Sequence, residues 1–250
     1  MAAKNHEVFL APKNPDIPIW RYMDFTKFVS MLVHKGLYFS RLDKLGDPFE
    51  GSLPKLNVAD QSIIVPDELK ANPILAQGYI DSFKNMRQAI KRLRTSVFAS
   101  TWHMAEHESA AMWKLYARTE EAICVRSTYA KLESLLGDDV FVGRVIYIDY
   151  DQYMIPLGNI LWPYVHKRKS FEHEQELRAL IPDLKNGFSN EAIQQPPGIW
   201  RDIDLNALID HIYIAPTAPE WFVHTVQETL KQFGHAFPVV RSALDENPLW

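Results

Sequence analysis

Short runs of apolar and β-branched residues alternate along this chain with segments whose apolar residues recur three or four positions apart. The short runs predict β-strands, and the segments with helical spacing predict α-helices. The clearest helix begins after Asp24, a favourable N-cap residue, and is ended by Gly36. Phe25, Phe28 and Leu32 recur at helical spacing between these two positions, so they are expected to form its buried face.

The same reasoning divides the rest of the chain into interspersed helices and strands. The predicted strands are 19–22, 37–40, 96–102, 122–126, 140–149, 176–181, 209–215 and 237–242. The predicted helices are 25–35, 67–94 with a break near 73, 109–117, 128–136, a short one opened by Asp204, and 218–233. Residues 183–200 are polar and contain prolines, so they are predicted to form a loop. Because the two kinds of element are mixed irregularly, the pattern predicts an α+β fold with a central, mostly antiparallel sheet flanked by helices.

The organisation of the chain predicts one large domain. Residues 1–18 are polar and contain three prolines, so they are expected to form an irregular lead-in. Residues 19–250 are expected to form a single mixed α+β domain, because they contain no internal repeat, low-complexity tract or obvious linker. With 47% hydrophobic residues, the chain can bury a substantial core.

Composition and charge narrow the classes of partner. The formal net charge of −4 argues against nucleic acid as the main partner, because a protein coating nucleic acid is usually strongly basic. The one cysteine, Cys124, lies in the apolar run AICV and is expected to be a small buried residue. The sequence has no signal-peptide pattern and no run long enough to span a membrane, so we expect a cytoplasmic protein without a membrane partner.

Residues 167–182, KRKSFEHEQELRALIP, hold the densest group of charges in the chain. Glu172, Glu174 and Glu176 alternate and would share one face of an extended strand. In the apolar run ELRALI, Leu177 and its alternate neighbours are expected to face the core, which turns Glu176 and Arg178 toward the opposite side. If that side is a cleft, Glu176 is the main candidate for catalysis and Glu174 the second. A solvated, salt-laced surface strand is the alternative.

Cations elsewhere in the sequence are candidates for binding an anionic ligand. Arg21 lies between two aromatic residues and predicts either an anion site or an ion pair with Asp24. Arg168 is a second candidate anion anchor beside the glutamates. Asp47 lies in a turn-rich loop that either lines a pocket or serves only as a turn. The loop carboxylates Asp47 and Glu50 are expected to face either Arg21 or Lys167.

Aromatic residues supply a candidate wall for a flat ligand. Trp102, Trp113 and Tyr116 lie close together in sequence and are expected either to pack in the core or to contact a nucleobase or nicotinamide ring.

The segment 103–107, HMAEH, matches a zinc-binding pattern in which two histidines share one face of a helix and the glutamate acts as a base. The segment follows a strand pattern and precedes a helix, so it is expected to form a loop in which that geometry is lost. On this interpretation Glu108 or Ser109 caps the following helix, and no metal is bound.

Several blocks of the sequence, in order, resemble the bacterial family known as domain of unknown function 2971 (DUF2971). They are IWRYMDFTKFVSML, GLYFSRLDKLGDPFEG, FASTWHMAEHESAAMWKLYA, AICVRSTYAKLESL and KRKSFEHEQELRALI, which together cover most of residues 19–215. This resemblance implies no settled activity. It does imply an association with phage defence or stress.

The chain also has a remoter likeness to ADP-ribosyltransferases, including toxins that modify DNA. Those folds hold NAD with an arginine or histidine on the first strand, a hydroxyl residue on the second and a glutamate at the start of a late strand. The likeness places Arg21, Ser40 and Glu176 at these positions. It implies a cation for the pyrophosphate, a hydroxyl near the ribose and a carboxylate for an oxocarbenium-like centre.

Three functional hypotheses follow from the sequence. The first is a nucleotide- or NAD-utilising transferase or hydrolase linked to phage defence or stress, with NAD or another small anionic ligand as its substrate. The second is a non-enzymatic, defence-associated sensor that binds another protein. The third is a zinc-dependent hydrolase that uses the HMAEH segment.

Overall fold

A large, mostly antiparallel sheet with helices around it organises this protein, which confirms the predicted α+β class. The structure is a computed structural model that describes residues 6–59, 63–117, 119–188, 195–246 and 248. Within these residues the strands are β1 (Pro18–Asp24), β2 (Gly36–Arg41), β3 (Val97–Met104), β4 (Ala122–Thr128), β5 (Phe141–Arg144), β6 (Ile146–Ile148), β7 (His166–Arg168), β8 (Glu176–Pro182), β9 (Gly198–Asp202), β10 (His211–Ile214) and β11 (Val239–Arg241).

The helices are shorter on average than the sequence pattern predicts. They are α1 (Phe25–His34), α2 (Lys55–Val58), α3 (Asp67–Lys70), α4 (Pro73–Leu93), α5 (Ala110–Tyr116), α6 (Tyr129–Leu135), α7 (Leu184–Gly187), α8 (Leu205–Leu208) and α9 (Glu220–Gln232). None of the helices in the described part of the chain has both the length and the apolar character needed to cross a bilayer.

Nine strands form the main sheet, and most of its pairs are antiparallel. The main path through this sheet is β11-β10-β4-β1-β3-β2-β9, with β8 attached to β3 and β5 attached to β8. Only β10 and β11 pair in parallel within it, while β6 and β7 form a separate parallel pair. The core is built on this sheet and includes the fully buried Ile19, Phe28 and Phe39.

The sheet forks at β3, and this fork positions the candidate site. One edge of β3 pairs with β8 from Val97 to His103. On the other edge, β2 pairs with Phe98 and Ala99, whereas β1 pairs with His103 and Met104. Among the described residues, no strand pairs with 100–102 on that second edge, so β1 and β2 diverge there and leave a gap.

Two close approaches explain the glycines next to this region. The last residue of α1 is His34, and Lys35 caps the helix in the left-handed conformation at φ 48°. The expectation that Gly36 ends the helix is therefore displaced by one residue. A Cβ atom on Gly36 would lie 2.3 Å from the carbonyl oxygen of Arg201, because β9 packs closely against β2 there. Gly51 has φ +66° and leaves no room for a Cβ beside Leu42 and Tyr164.

Most predicted elements are present, but three predictions are wrong. The proposed strand 140–149 is two strands that separate at Val145, because β5 pairs with β8 and β6 pairs with β7. The region 183–200, predicted as a loop, contains α7 and the start of β9. The alternating glutamates do not share a strand, because Lys169–Glu174 is a 3-10 helix and Gln175 turns the chain with φ 40°.

Several other sequence predictions are confirmed. Cys124 is buried. Ser109 caps α5 by accepting a hydrogen bond from the backbone N–H of Met112, and Asp204 caps α8. Residues 6–17 form no regular element, although Val8 and Phe9 are buried against the sheet. The division of the chain into one lead-in and one domain stays a prediction.

Candidate functional site

A cavity of about 620 Å³ opens at the fork of the sheet. Its walls come from β1, the middle of β2, residues 101–103 of β3, β9, α1, α5, the loop 45–50 and the segment 167–176. Distant parts of the sequence therefore meet in one place, which only the non-local strand pairing brings about. A cavity of this size lies in the range of ordinary small-molecule and cofactor sites.

Arg21 bridges the fork and contributes a positive charge that has no carboxylate partner. Its Nη1 donates to the Ser100 hydroxyl at 2.7 Å, and its Nη2 donates to the Tyr38 carbonyl at 3.1 Å. The guanidinium carbon lies 5.7 Å from the Trp102 ring centre. No ion pair joins Arg21 to an acidic side chain within the described residues, so the expected pair with Asp24 is not formed. Its remaining N–H groups are available to a ligand in the cavity.

A buried cluster of five charged side chains adjoins the cavity, and four of the five line it. These are Glu50, Glu174, Glu176, Lys167 and Arg178, each no more than 9% exposed. Lys167 Nζ lies 3.1 Å from Glu176 and 3.2 Å from Glu50, and it also contacts Glu174. Three carboxylates thus share two cations, and the cluster carries one excess negative charge.

Arg178 holds this cluster in a fixed geometry. Its Nε donates to Glu176 Oε1 at 2.7 Å, and its two Nη atoms lie 3.1 and 3.2 Å from the Glu50 carboxylate oxygens. Its Nη1 also donates to the Tyr164 carbonyl at 2.7 Å. The sequence pattern placed Glu176 and Arg178 on the side of β8 away from the core, but both faces of this strand are buried. The interpretation of 167–169 as a solvated surface strand is wrong for Lys167, which is 7% exposed.

The cluster keeps Glu176 ionised. Burial opposes its charged form, but the nearby Arg178 and Lys167 outweigh burial and lower the pKa of the Glu176 carboxyl. Burial also opposes the charge on Lys167, but Glu176 and Glu50 raise the pKa of its ammonium. Glu176 therefore presents a fixed negative charge to the cavity at neutral pH and holds no proton to donate.

A second ion pair fixes the loop that forms one side of the cavity. Arg168 donates to both oxygens of Asp47, at 3.1 and 2.7 Å. The Arg168 guanidinium lies 4.3 Å from the ring centre of Phe49 and 5.2 Å from that of Phe171. Because all its charge is paired with Asp47, Arg168 is better placed to hold the loop than to bind a ligand.

Tyr116 and His103 line the cavity, and both contact Glu174. The Tyr116 hydroxyl donates to Glu174 Oε1 at 3.2 Å, and burial raises its pKa, so the hydroxyl stays protonated. His103 Nδ1 lies 2.6 Å from the Glu174 carbonyl oxygen, and burial lowers the pKa of its imidazole.

The structure brings together six of the nine residues that the sequence singled out. The cavity is lined by Glu174, Glu176, Arg21, Asp47, Trp102 and Tyr116. Three others do not line it. Ser40 lies further along β2 than the cavity-lining Tyr38, Arg168 pairs with Asp47, and Trp113 is buried with its Nε1 2.9 Å from Glu108.

Sequence reasoning missed several residues of the site. The cavity is lined by His103, which the sequence offers only as a zinc ligand, and by Tyr38 and Trp200, for which the sequence gives no functional signal. Arg178, predicted only to face away from the core, binds Glu176 and Glu50. The alternation of apolar residues in β8 predicts the face on which Arg178 lies. It does not predict that other segments of the chain cover this face. Lys167 facing Glu50 was among the sequence expectations, and this contact is present.

The segment HMAEH does not have the helical geometry that the zinc hypothesis needs. His103 and Met104 end β3, and Glu106 and His107 lie in the turn before α5, as the alternative loop interpretation expected. Within the described residues, no group of three or more His, Cys, Asp or Glu side chains is arranged to hold a metal ion.

Comparisons with known proteins leave the family of this chain open. No protein-family model and no curated protein matches it. Two solved structures of DarT from Thermus sp. 2.9 are similar to it over 94% of its length. The DarT complex with carba-NAD+ has 12% identity, 98% of its chain covered and a TM-score of 0.38. The complex with ADP-ribosylated ssDNA has 11% identity, 97% covered and a TM-score of 0.42. With TM-scores below 0.5, neither likeness carries an argument about fold or function, and membership of DUF2971 stays a prediction.

Proposed function

We propose that this protein is an NAD-utilising transferase or hydrolase that breaks the bond between nicotinamide and ribose in the cavity at the fork. The observation that carries the proposal is the presence of two opposite charges in the lining of one cavity. Arg21 presents a cation that has no carboxylate partner among the described residues, and Glu176 presents a carboxylate that is held ionised.

The cavity offers matching contacts for both parts of a dinucleotide. The remaining N–H groups of Arg21 suit a pyrophosphate. Lys27 also lines the cavity, with its ammonium 3.8 Å from the Asp24 carboxylate. The aromatic side chains of Tyr38, Trp102 and Trp200 line the cavity and suit the flat faces of a nicotinamide or adenine ring.

The ionisation state of Glu176 favours NAD over ordinary glycosides. Hydrolysis of an O-glycoside needs a protonated carboxyl group of raised pKa to protonate the leaving oxygen. Glu176 has a lowered pKa and cannot take that role. The nicotinamide ring of NAD already carries a positive charge and leaves as a neutral molecule, so it needs no proton. What the reaction needs is a fixed negative charge beside the oxocarbenium-like ribose, which Glu176 supplies.

The acceptor sites of the Glu176 carboxylate also suit a ribose. Arg178 occupies one position on Oε1 and Lys167 one on Oε2, which leaves about two of the roughly four lone-pair positions of the carboxylate open. Hydroxyl groups of a ribose in the cavity are the natural donors to these positions.

Release of nicotinamide from NAD, together with calorimetric NAD binding, tests the proposal. Arg21→Ala is expected to weaken NAD binding, because the pyrophosphate loses its cation. Glu176→Gln is expected to retain binding and to slow nicotinamide release by about 10²–10³-fold, the usual loss when one electrostatic stabiliser is removed. Two exposed residues provide matched controls, Arg92→Ala and Glu68→Gln, and both are expected to behave as the wild type.

Two outcomes would contradict the proposal. A folded wild-type protein that neither binds nor cleaves NAD at millimolar concentration would remove it. Binding without any release of nicotinamide would favour the alternative of a non-enzymatic sensor. The association with phage defence or stress, the cytoplasmic location, a protein partner and the minor place of nucleic acid among the partners stay predictions.

A further inference from the structure

His103 has a protonation state that the structure defines. Its Nδ1 lies 2.6 Å from the backbone carbonyl oxygen of Glu174, and a carbonyl oxygen can only accept a hydrogen bond. Nδ1 therefore carries the proton. Because burial lowers the pKa of this imidazole, the ring is neutral near neutral pH, and its Nε2 presents a lone pair.

The Nε2 atom of His103 is open to the cavity. His103 lines the cavity, and within the described residues no side chain or backbone group hydrogen-bonds to Nε2. Nε2 is also not among the enclosed polar atoms that lack a partner, so it is in contact with open space. A base with a free lone pair thus faces the same volume as Glu176.

The strand register places His103 beside Glu176. The two residues are directly opposite each other on β3 and β8, so their Cβ atoms are about 4.5–5.5 Å apart. Trp20 is opposite His103 on the other side, on β1. Trp20, His103 and Glu176 therefore occupy neighbouring positions on β1, β3 and β8, and all three line the cavity.

Resting on the proposed function, we propose that His103 Nε2 is the general base of the transfer and that the acceptor is an uncharged O–H or N–H group. The bond between ribose C1′ and nicotinamide N1 breaks, and its electron pair leaves with nicotinamide, which becomes neutral. The acceptor oxygen or nitrogen forms a bond to C1′, and its proton passes to Nε2. The imidazolium then releases that proton to solvent, so each turnover yields one nicotinamide, one ADP-ribosyl product and one proton.

The charges around the imidazole select against an anionic acceptor. Glu176 is opposite His103 on β8, and its carboxylate is bound by Arg178 and Lys167. Glu174 and His173 act on the ring from the neighbouring 3-10 helix, the former favouring and the latter opposing its charged form. The Tyr22 ring on β1 packs edge-on against the imidazole, with 6.2 Å between the two ring centres. The excess negative charge of the cluster disfavours phosphate or carboxylate nucleophiles and leaves water, a hydroxyl or a neutral N–H.

The pH profile of nicotinamide release, with His103→Asn as the main variant, tests the proposal. Asparagine keeps an N–H that can donate to the Glu174 carbonyl but has no basic nitrogen. We expect the wild-type rate to fall with decreasing pH as Nε2 becomes protonated, below the ordinary pKa of histidine. We expect the variant to be about 10²–10⁴-fold slower at neutral pH, to lose this acid limb and to retain NAD affinity. The exposed His224→Asn is the matched control.

Two further measurements test the acceptor class and distinguish loss of the base from misfolding. Added methanol is expected to be captured by the wild-type protein as a methyl glycoside of ADP-ribose, whereas equal concentrations of acetate or inorganic phosphate are not captured. Free imidazole is expected to restore part of the rate at which His103→Ala releases nicotinamide. A misfolded variant would not regain this rate when a base is added.

The outcomes separate the two proposals. If the wild-type protein releases no nicotinamide, the proposed function and this inference fall together. If it does release nicotinamide and His103→Asn keeps the wild-type rate and acid limb, the base assignment alone is refuted. Capture of acetate or phosphate as efficiently as methanol refutes the acceptor class.

Discussion

Replacement of Lys167 by methionine removes the ammonium group that three buried carboxylates share. Methionine keeps most of the apolar stem, so the change isolates the charge. Lys167 lies 3.1 Å from Glu176 and 3.2 Å from Glu50, and it also contacts Glu174. After the change these carboxylates have Arg178 as the one remaining cation of the cluster.

The expected loss in the free energy of unfolding follows from the burial of these side chains. All the carboxylates are at most 9% exposed, so water cannot replace the lost ammonium. Removal of one partner from a buried ion pair costs about 3–5 kcal/mol, because the other charge stays buried without compensation. We therefore expect the free energy of unfolding of Lys167→Met to fall by about that amount at neutral pH.

The pH dependence gives a sharper test than the magnitude alone. In the wild type the pKa of Glu176 is lowered, so its contribution to stability is present above the unfolded-state pKa and is lost as pH falls through the folded-state pKa. Without Lys167 the pKa of Glu176 rises. If the pKa of Glu176 in the folded variant rises above its unfolded-state value, protonation of Glu176 favours folding. The free energy of unfolding of the variant then falls as pH rises. The difference between variant and wild type should therefore shrink toward acid pH.

Urea denaturation at neutral pH and at about pH 5, just above the ordinary pKa of glutamate, measures both effects. Lys231→Met is the matched control, because Lys231 forms an exposed ion pair with Glu228 on α9 and is expected to leave stability unchanged. A loss below about 1 kcal/mol at neutral pH, or an equal loss at both pH values, would refute the reasoning on the buried cluster.

Two further predictions concern the frame around the cavity. Gly36→Ala is expected to lower the unfolding free energy by about 1–3 kcal/mol, because its Cβ would lie 2.3 Å from the Arg201 carbonyl oxygen. Gly46→Ala, whose Cβ meets nothing within 4 Å, is the control in thermal unfolding, and equal losses would contradict the argument. Arg168→Lys is expected to speed amide hydrogen exchange in the loop after Asp47, because lysine cannot form the bidentate pair. Unchanged exchange there would show that the pair does not hold the loop.

Local sequence signals predicted the elements well, because the residues that decide them are neighbours in the chain. The helix after Asp24 and the strands that begin at Pro18 and Glu176 follow the spacing of their apolar residues, which is visible in the sequence, although the Asp24 side chain forms no capping hydrogen bond. The turn at Gln175 was missed because a single non-glycine residue in the left-handed region leaves no sequence signal. Its effect was large, since it separates Glu174 from the strand of Glu176.

The site could be predicted only in part, because burial of a charge depends on elements distant in the sequence. An alternating pattern assigned Arg178 to the face of β8 opposite the core, and that assignment of face is correct. The pattern carries no information on whether another segment covers that face, and here Glu50 and Tyr164 cover it. The same argument applies to His103. Its neighbours in sequence point to zinc, but its tautomer is set by the Glu174 carbonyl, 71 residues away. A residue whose chemistry is decided by one backbone oxygen from another segment can be recognised only after the strands have been paired.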